Sequence, residues 1–446
     1  MIKRILQNQL LTTLAARGIA AGGTFLLSYV LATFVSIQAF GAFMLCLSIM
    51  IGMQVFASLG TDRATLKYMG VATSNNNRRE VAWIYRHAMT VNVLVGVLLG
   101  VVLWVAAPSV AQMLLSSTDN AVEALRMTAL LSPVYSVIYL CNFLMKGWGR
   151  ANVSCLFEIG CISIVLSGVV LVCAWLGISL GALALMTALG VILGLYLLVA
   201  LWAVWWLYRR SALVESDSVS FTKGFYRHLP DFLLVGIIFY YTQWGVGLVL
   251  GAFHSESDVA LFSLGLRLAM IIGFILTVYD SILGPRFSRL QHEGNSEGLR
   301  LLAQKSAFQM TCFALLPALV FIIWPNAVLA LFGSDYSGAA SVVRILVIGQ
   351  LVNVMTGSVI LLLLMADQQR AARNILIWSV VVGGIASLLL IPRYSAEGAA
   401  YALLLCLLIQ NGVAVYVVKR KFGFMMTDWR FVMTPRSRAN NDGEPR

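Results

Sequence analysis

Long apolar stretches alternate with short polar segments along the 446-residue chain. A helix needs about 20 apolar residues to cross the hydrocarbon core of a bilayer, and most of the stretches have about that length. The pattern therefore predicts an all-α polytopic membrane protein with about twelve spanning helices. We place them at residues 9–35, 39–62, 88–108, 123–145, 154–176, 181–208, 229–253, 258–282, 306–325, 342–365, 374–392 and 397–418.

Composition agrees with this pattern. Hydrophobic residues make up 60% of the chain and charged residues 11%, whereas a soluble domain carries roughly 25% charged residues. The seven cysteines all lie inside apolar segments and show no metal-ligand spacing, so they are interpreted as small buried hydrophobes. The chain contains no Gly-Lys dipeptide, which excludes a P-loop for ATP. We expect neither a metal nor a cofactor.

Basic residues define the orientation. The net charge is +12, and most of the 31 Lys and Arg residues lie in every second connection or near the ends. If both termini are cytoplasmic, the exceptions are Arg17, Arg126, Arg267, Arg344 and Arg393. Cytoplasmic loops carry the excess of positive charge in such proteins. The first helix is long enough to be retained as an anchor, so we expect no cleaved signal.

The chain repeats internally. Segments around Phe40, Arg126 and Arg150 match later segments around Val259, Arg344 and Arg370 at a nearly constant separation. We therefore predict an N-terminal six-helix lobe (1–212), a C-terminal six-helix lobe (213–425) and a polar cytoplasmic tail (426–446). Two such lobes in the same orientation predict a central site and transport by alternating access.

Arginines inside apolar helices are candidate functional residues, because an ionisable group in the membrane is costly. Arg17 shares one face of the first helix with Thr13 and Thr24. Arg267 lies near the middle of the eighth helix. Both guanidinium groups suit the oxygens of a diphosphate. Two alternatives remain open: Arg17 snorkels to the cytoplasmic surface, or Arg267 pairs with an acid on another helix, such as Glu158.

Other polar residues inside the predicted helices have two interpretations. Glu158 is either a site for proton or cation coupling or a charge partner of Arg17. The uncharged candidates either hold helices together or line a hydrophilic cavity, and the sequence is compatible with both. These candidates are Tyr240, Gln243, Gln350 and Asn353.

Three short motifs resemble those of bacterial polysaccharide transporters. They are Gln38-Ala-Phe-Gly-Ala-Phe after the first helix, Ser58-Leu-Gly-Thr-Asp-Arg after the second, and Leu331-Phe-Gly-Ser-Asp-Tyr in the second half. Their order and spacing are similar to those of O-antigen and capsule repeat-unit flippases of the multidrug/oligosaccharidyl-lipid/polysaccharide exporter superfamily. The chain departs from many relatives at Gln243-Trp244-Gly245, where they carry an acid, and this departure argues against ion coupling there.

The resemblance implies two six-helix lobes around a cationic cavity. It also implies translocation of an undecaprenyl-diphosphate-linked oligosaccharide across the bacterial inner membrane, from cytoplasm to periplasm. Arg17 and Arg267 fit the cationic role by their positions. A polysaccharide polymerase or glycosyltransferases are conceivable partners at the basic cytoplasmic face, and nucleic acid is not expected.

Three other functions are alternatives to this one. An ion-coupled multidrug or cation antiporter of the same superfamily requires cavity acids, for which Glu158 alone gives thin support. A membrane enzyme disagrees with the duplicated halves and the short outer connections. A lipid II flippase usually carries more cavity arginines and often two further helices.

Overall fold

The computed structural model of the protein describes residues 2–75, 77–115, 118–211 and 222–428. For residues 2–14, 16, 17, 222 and 223 it describes the backbone alone. The predicted tail lies outside the described residues from position 429 onward. Helices joined by short connections account for nearly all of the described chain.

The long helices of the described ranges follow one another along the chain. They are α1 (Ile2–Phe34), α2 (Ile37–Ser58), α3 (Thr61–Ser74), α4 (Arg78–Leu114), α5 (Ala121–Gly147), α6 (Ile159–Trp175), α7 (Ala182–Arg210), α8 (Leu229–Phe253), α9 (Glu256–His292), α10 (Ser296–Ile323), α11 (Ser334–Met365) and α12 (Gln369–Phe422). Short helical turns, such as Ala151–Ser154 and Thr222–Arg227, lie between some of them.

By length and composition, nine helices of the described chain can cross a membrane, and a tenth span forms if Ala151–Phe157 and α6 are joined across their 42° bend. At 1.5 Å per residue the 54-residue α12 is roughly 80 Å long, more than twice the thickness of a bilayer core. Its backbone breaks at Ser395, with φ 48° and ψ −129°, so it supplies two spans. With the apolar part of α1, Gly18–Phe34, the prediction of about twelve helices is confirmed.

Several helices extend beyond the predicted apolar windows. α4 begins at Arg78 rather than at 88, because the Asn77 side chain accepts a hydrogen bond from the backbone N–H of Glu80 at 3.2 Å and caps a polar first turn. α10 likewise begins at Ser296, where Asn295 caps the backbone N–H of Gly298 at 2.8 Å. Hydropathy marks only the part of a helix in lipid, so these polar extensions escaped prediction.

The described chain divides into two compact units. The first unit comprises Met1–Arg267, Asn326–Val342 and Gly384–Ala402, and the second comprises Leu268–Pro325, Val343–Gly383 and Leu403–Arg446, masked positions aside. The boundaries of the two repeat lobes, 1–212 and 213–425, remain a prediction.

Small residues bring the backbones of the first unit into contact. A Cβ at Gly160 of α6 would overlap the carbonyl of Ala20 in α1, and a Cβ at Gly23 would overlap the carbonyl of Gly160. Close approach through small residues is a common basis of helix association in membranes. Here the close approach fixes α1, which carries Arg17, against α6, which follows Glu158.

Two of the sequence motifs meet in this unit. Phe40 of α2 and Tyr336 at the start of α11 are both buried, and their ring centroids lie 6.3 Å apart. Gly41, beside Phe40, leaves no room for a Cβ against the carbonyl of Glu256. These motifs therefore serve the packing of the starts of α2, α9 and α11.

Candidate functional site

A π-helical turn interrupts α8. It spans Tyr241–Gly245 and is continuous with α-helix on both sides. Such a turn accommodates one extra residue, rotates the side chains around it, and is frequently found at functional sites. The turn contains Gln243 and Trp244, the position where the chain departs from many relatives.

Arg267 of α9 stacks on the π turn. Its guanidinium carbon lies 4.6 Å from the centroid of the Trp244 ring. Measured along the helices at 1.5 Å per residue, Trp244 is roughly 13 Å from the end of α8 and Arg267 roughly 16 Å from the start of α9. Both residues therefore lie deep in the apolar segments, about halfway across a 30 Å core.

The stacking suits a charge in a region of low water content. A cation over the face of Trp is attracted by the ring quadrupole, and this attraction grows when the pair is desolvated. The N–H donors of guanidinium lie in its plane, so the stacking contact itself does not use them. The geometry therefore holds the charge of Arg267 over an aromatic ring within the apolar segments.

The tyrosines beside Trp244 tie α8 to its neighbours. The Tyr241 hydroxyl lies 2.8 Å from the hydroxyl of Ser387 in α12. The Tyr240 hydroxyl donates to the carbonyl of Ser48 in α2 at 3.1 Å, and its ring lies against Gly52, where a Cβ would approach to 2.8 Å. Tyr240, a candidate for the cavity lining, thus packs α8 against α2.

Glu158 has a partner that the sequence analysis did not name. Its carboxylate lies 3.0 Å from the Lys146 ammonium, and the two side chains are 30% and 21% exposed. Lys146 lies in the last turn of α5, and Glu158 lies directly before α6, so the short connection between the two helices brings the charges together. The sequence could have indicated this pair, because Lys146 and Glu158 lie at or near the same predicted cytoplasmic connection.

Four further candidate residues lie on α1 and on the π turn. Side chains of Thr13 and Arg17 lie outside the described residues, and the Thr24 hydroxyl donates to the carbonyl of Ala21 in its own helix at 2.9 Å. Gln243 is exposed on the π turn. Whether these residues contact a substrate stays a prediction.

Gln350 and Asn353 lie together in the second unit. The Asn353 amide donates to Gln350 at 3.4 Å, and the Asn411 amide of α12 donates to Asn353 at 3.1 Å. Thr356 donates to Asn411 at 2.9 Å. The network joins α11 to α12. These amides therefore hold helices together, which is one of the two roles predicted for them.

Solved structures identify the fold. A multidrug resistance MATE family transporter of the MOP superfamily, inward-facing, matches over 93% of this chain and 98% of its own, with 16% identity and a TM-score of 0.73. The lipid II flippase MurJ, inward closed, matches over 91% and 87%, with 9% identity and a TM-score of 0.72. A mutant of the MATE transporter VcmN from Vibrio cholerae matches over 94% and 97%, with 15% identity and a TM-score of 0.59. The chain thus has the all-α polytopic fold of membrane transporters.

The family follows from the sequence match. Residues 30–341 match the model of the family described as Polysaccharide biosynthesis protein. The match covers more than half of the chain, so the chain belongs to this family, and the resemblance noted in its motifs is confirmed. A search of curated proteins finds no match.

Proposed function

We propose that this protein is a flippase for an undecaprenyl-diphosphate-linked oligosaccharide. It moves the lipid from the cytoplasmic to the periplasmic leaflet of the bacterial inner membrane by alternating access, for assembly of a surface polysaccharide such as O-antigen or exopolysaccharide. Family membership and the likeness of fold to a lipid II flippase support this proposal. The observation that carries it is Arg267, stacked on Trp244 deep in the apolar segments.

The chemistry of this pair favours an anionic head group. A diphosphate offers several oxygens to a planar guanidinium, and such charge-assisted hydrogen bonds are about twice as strong as neutral ones. The aromatic ring beside the arginine offers an apolar face for the substrate. Arg17 on α1 is proposed as the second cation of the site.

An ion-coupled multidrug or cation antiporter is the second candidate. The likeness of fold to multidrug MATE transporters favours it. A cationic substrate requires an available carboxylate, however, and the ion pair with Lys146 already neutralises Glu158. We therefore prefer the flippase.

A translocation assay separates the two functions. The protein is reconstituted in liposomes with undecaprenyl-diphosphate oligosaccharide, and the sugar exposed to an external modifying enzyme is measured over time. Arg267→Ala should slow translocation roughly ten- to hundredfold, because the substrate loses charge-assisted hydrogen bonds. Arg126→Ala is the matched control, since Arg126 also lies over a tryptophan, Trp104 at 5.4 Å, but at a predicted outer helix end.

Loss of translocation in a folded Arg267→Ala variant, with wild-type rates in Arg126→Ala, supports the flippase. Equal rates for both variants and the wild type would remove Arg267 from the mechanism. A wild-type protein that leaves the lipid in place but exports cationic dyes in a proton gradient would instead support the antiporter.

A further inference from the structure

The first unit contains a second basic site, which shares no residue with the pair of Arg267 and Trp244. A cavity of about 450 Å³ opens where α4 begins and α7 ends. Its volume lies within the range of small-ligand pockets, about 300–1,000 Å³. The residues that line it include Arg78, Arg79, Arg86, Trp83, His87 and Tyr208.

The spacing of these residues explains their convergence. Arg79, Trp83 and Arg86 follow one another at intervals of four and three positions, so they share one face of α4. Arg78 reaches across to α7, where its guanidinium donates to the Tyr208 hydroxyl at 3.4 Å. The polar extension of α4, unforeseen by hydropathy, thus supplies most of the cavity.

One wall is a packed aromatic cluster. The Trp83 and His87 rings stack with centroids 4.2 Å apart, and the Phe225 ring is nearly perpendicular to the Trp83 ring, with centroids 5.5 Å apart. Phe225 is buried, which anchors this wall to the turn before α8. The cavity is therefore a built feature and more than a set of mobile surface arginines.

The charges of the lining select an anion. Among the described residues that line the cavity, three are arginines and none is acidic. Guanidinium groups match phosphate oxygens, and the start of a helix adds a favourable dipole for negative charge.

The surroundings place the cavity at a membrane surface. Trp202 and Trp205, one to two turns before Tyr208, are 60% and 48% exposed, as is typical of an interfacial aromatic belt. Arg209 and Arg210 follow directly, stacked on Trp205 and Trp206 at 4.3 and 4.4 Å. This end of α4 and α7 is the predicted cytoplasmic end, where anionic lipid head groups are concentrated.

From this geometry we infer that the cavity binds the phosphate group of an anionic phospholipid in the cytoplasmic leaflet. A soluble phosphate compound shares the same chemistry and is the competing source. The inference is independent of the transported substrate, and its test needs no transport.

The test is a lipid titration of the purified full-length protein by native mass spectrometry, with phosphatidylglycerol against phosphatidylcholine. The wild type should bind phosphatidylglycerol more tightly. The double variant Arg79→Gln/Arg86→Gln should weaken this binding roughly tenfold or more. Arg209→Gln/Arg210→Gln is the matched control, because it removes the same charge from the neighbouring end of α7 at residues that do not line the cavity, and it should weaken binding less than the lining variant does.

A charge-conserving variant distinguishes the loss of charge from a loss of folding. Arg79→Lys/Arg86→Lys should bind phosphatidylglycerol more tightly than the glutamine variant, because lysine still binds phosphate as a point charge. Equal losses in the glutamine variant and the matched control would overturn the inference in favour of diffuse surface charge. So would equal affinity for the two lipids. Displacement of the lipid by micromolar pyrophosphate or ATP would assign the cavity to a soluble phosphate compound instead.

Discussion

Arg267 and Trp244, on two successive helices, meet with the guanidinium carbon 4.6 Å from the ring centroid. The contact depends on the π turn, because an extra residue in α8 changes the direction in which Trp244 points. A charged residue, a large aromatic ring and an irregular helix therefore coincide deep in the apolar part of the chain. Such a combination is costly to a membrane protein, and this cost is one reason why we propose that the substrate binds here.

The ring of Trp244 should be required for function as well as for packing. Trp244→Leu removes the cation–π contact, worth roughly 0.5–2 kcal/mol, while it keeps an apolar side chain. We expect a loss of translocation of about three- to thirtyfold, and a smaller loss in Trp244→Phe, which keeps an aromatic face. Transport in the reconstituted assay measures both. Wild-type rates in a folded Trp244→Leu variant would contradict the role.

The pair of Lys146 and Glu158 should act as a structural ion pair. Glu158→Gln leaves the half-buried Lys146 uncompensated and should lower stability by about 1 kcal/mol. Lys146→Met/Glu158→Gln should recover most of this loss, because neither charge is then left alone. Thermal unfolding in detergent measures the difference. If the double variant is folded yet no longer responds to an ion gradient to which the wild type responds, Glu158 is a coupling site instead.

The close approach of α1 and α6 should be intolerant of any added side chain. Gly160→Ala places a Cβ against the carbonyl of Ala20, so the helices must separate, at a cost of about 1–3 kcal/mol. Gly168→Ala on the same helix is the matched control, because a Cβ there meets nothing within 4 Å. Thermal unfolding should be shifted downward in the first variant alone. A similar downward shift in both variants would contradict a specific role of the Gly160 contact, because helix propensity alone favours alanine over glycine.

Stability should depend on pH through Asp62, which lies in α3, outside the apolar spans. Burial raises the pKa of this carboxyl, against the opposing effect of Arg63, whose guanidinium lies 3.6 Å away. A folded-state pKa above the unfolded value of about 3.9 means that the folded protein binds the proton more tightly. The stability contributed by the protonated carboxyl is therefore fully present below about pH 4 and lost as pH rises through the folded pKa.

Asp62→Asn should remove this dependence and raise the unfolding midpoint at pH 7 by about 1–3 °C. The control is Asp119→Asn, at an exposed position in the connection before α5. The measurement is the unfolding midpoint in detergent between about pH 4 and pH 8. An unchanged pH profile in Asp62→Asn would show that the buried carboxyl is compensated by its neighbours.

The spans were predictable because lipid leaves the backbone few options. Where no water is available, every peptide group must be bonded within its own helix, so a long apolar stretch indicates a spanning helix. This logic located the break between the last two spans, which the structure places at Ser395. The same reasoning failed for the polar starts of α4 and α10, because caps such as Asn77 and Asn295 act outside the apolar windows.

The amino-acid sequence by itself determined the all-α class, the approximate number and position of the spans, and the presence of Arg267 inside one of them. Tertiary structure decided the contacts: the π turn that brings Trp244 under Arg267, the pairing of Glu158 with Lys146, and the arginine cavity at the start of α4. The reason is physical. Transfer into lipid depends on the composition of each stretch, whereas a contact depends on the rotation and spacing of helices, which packing alone sets.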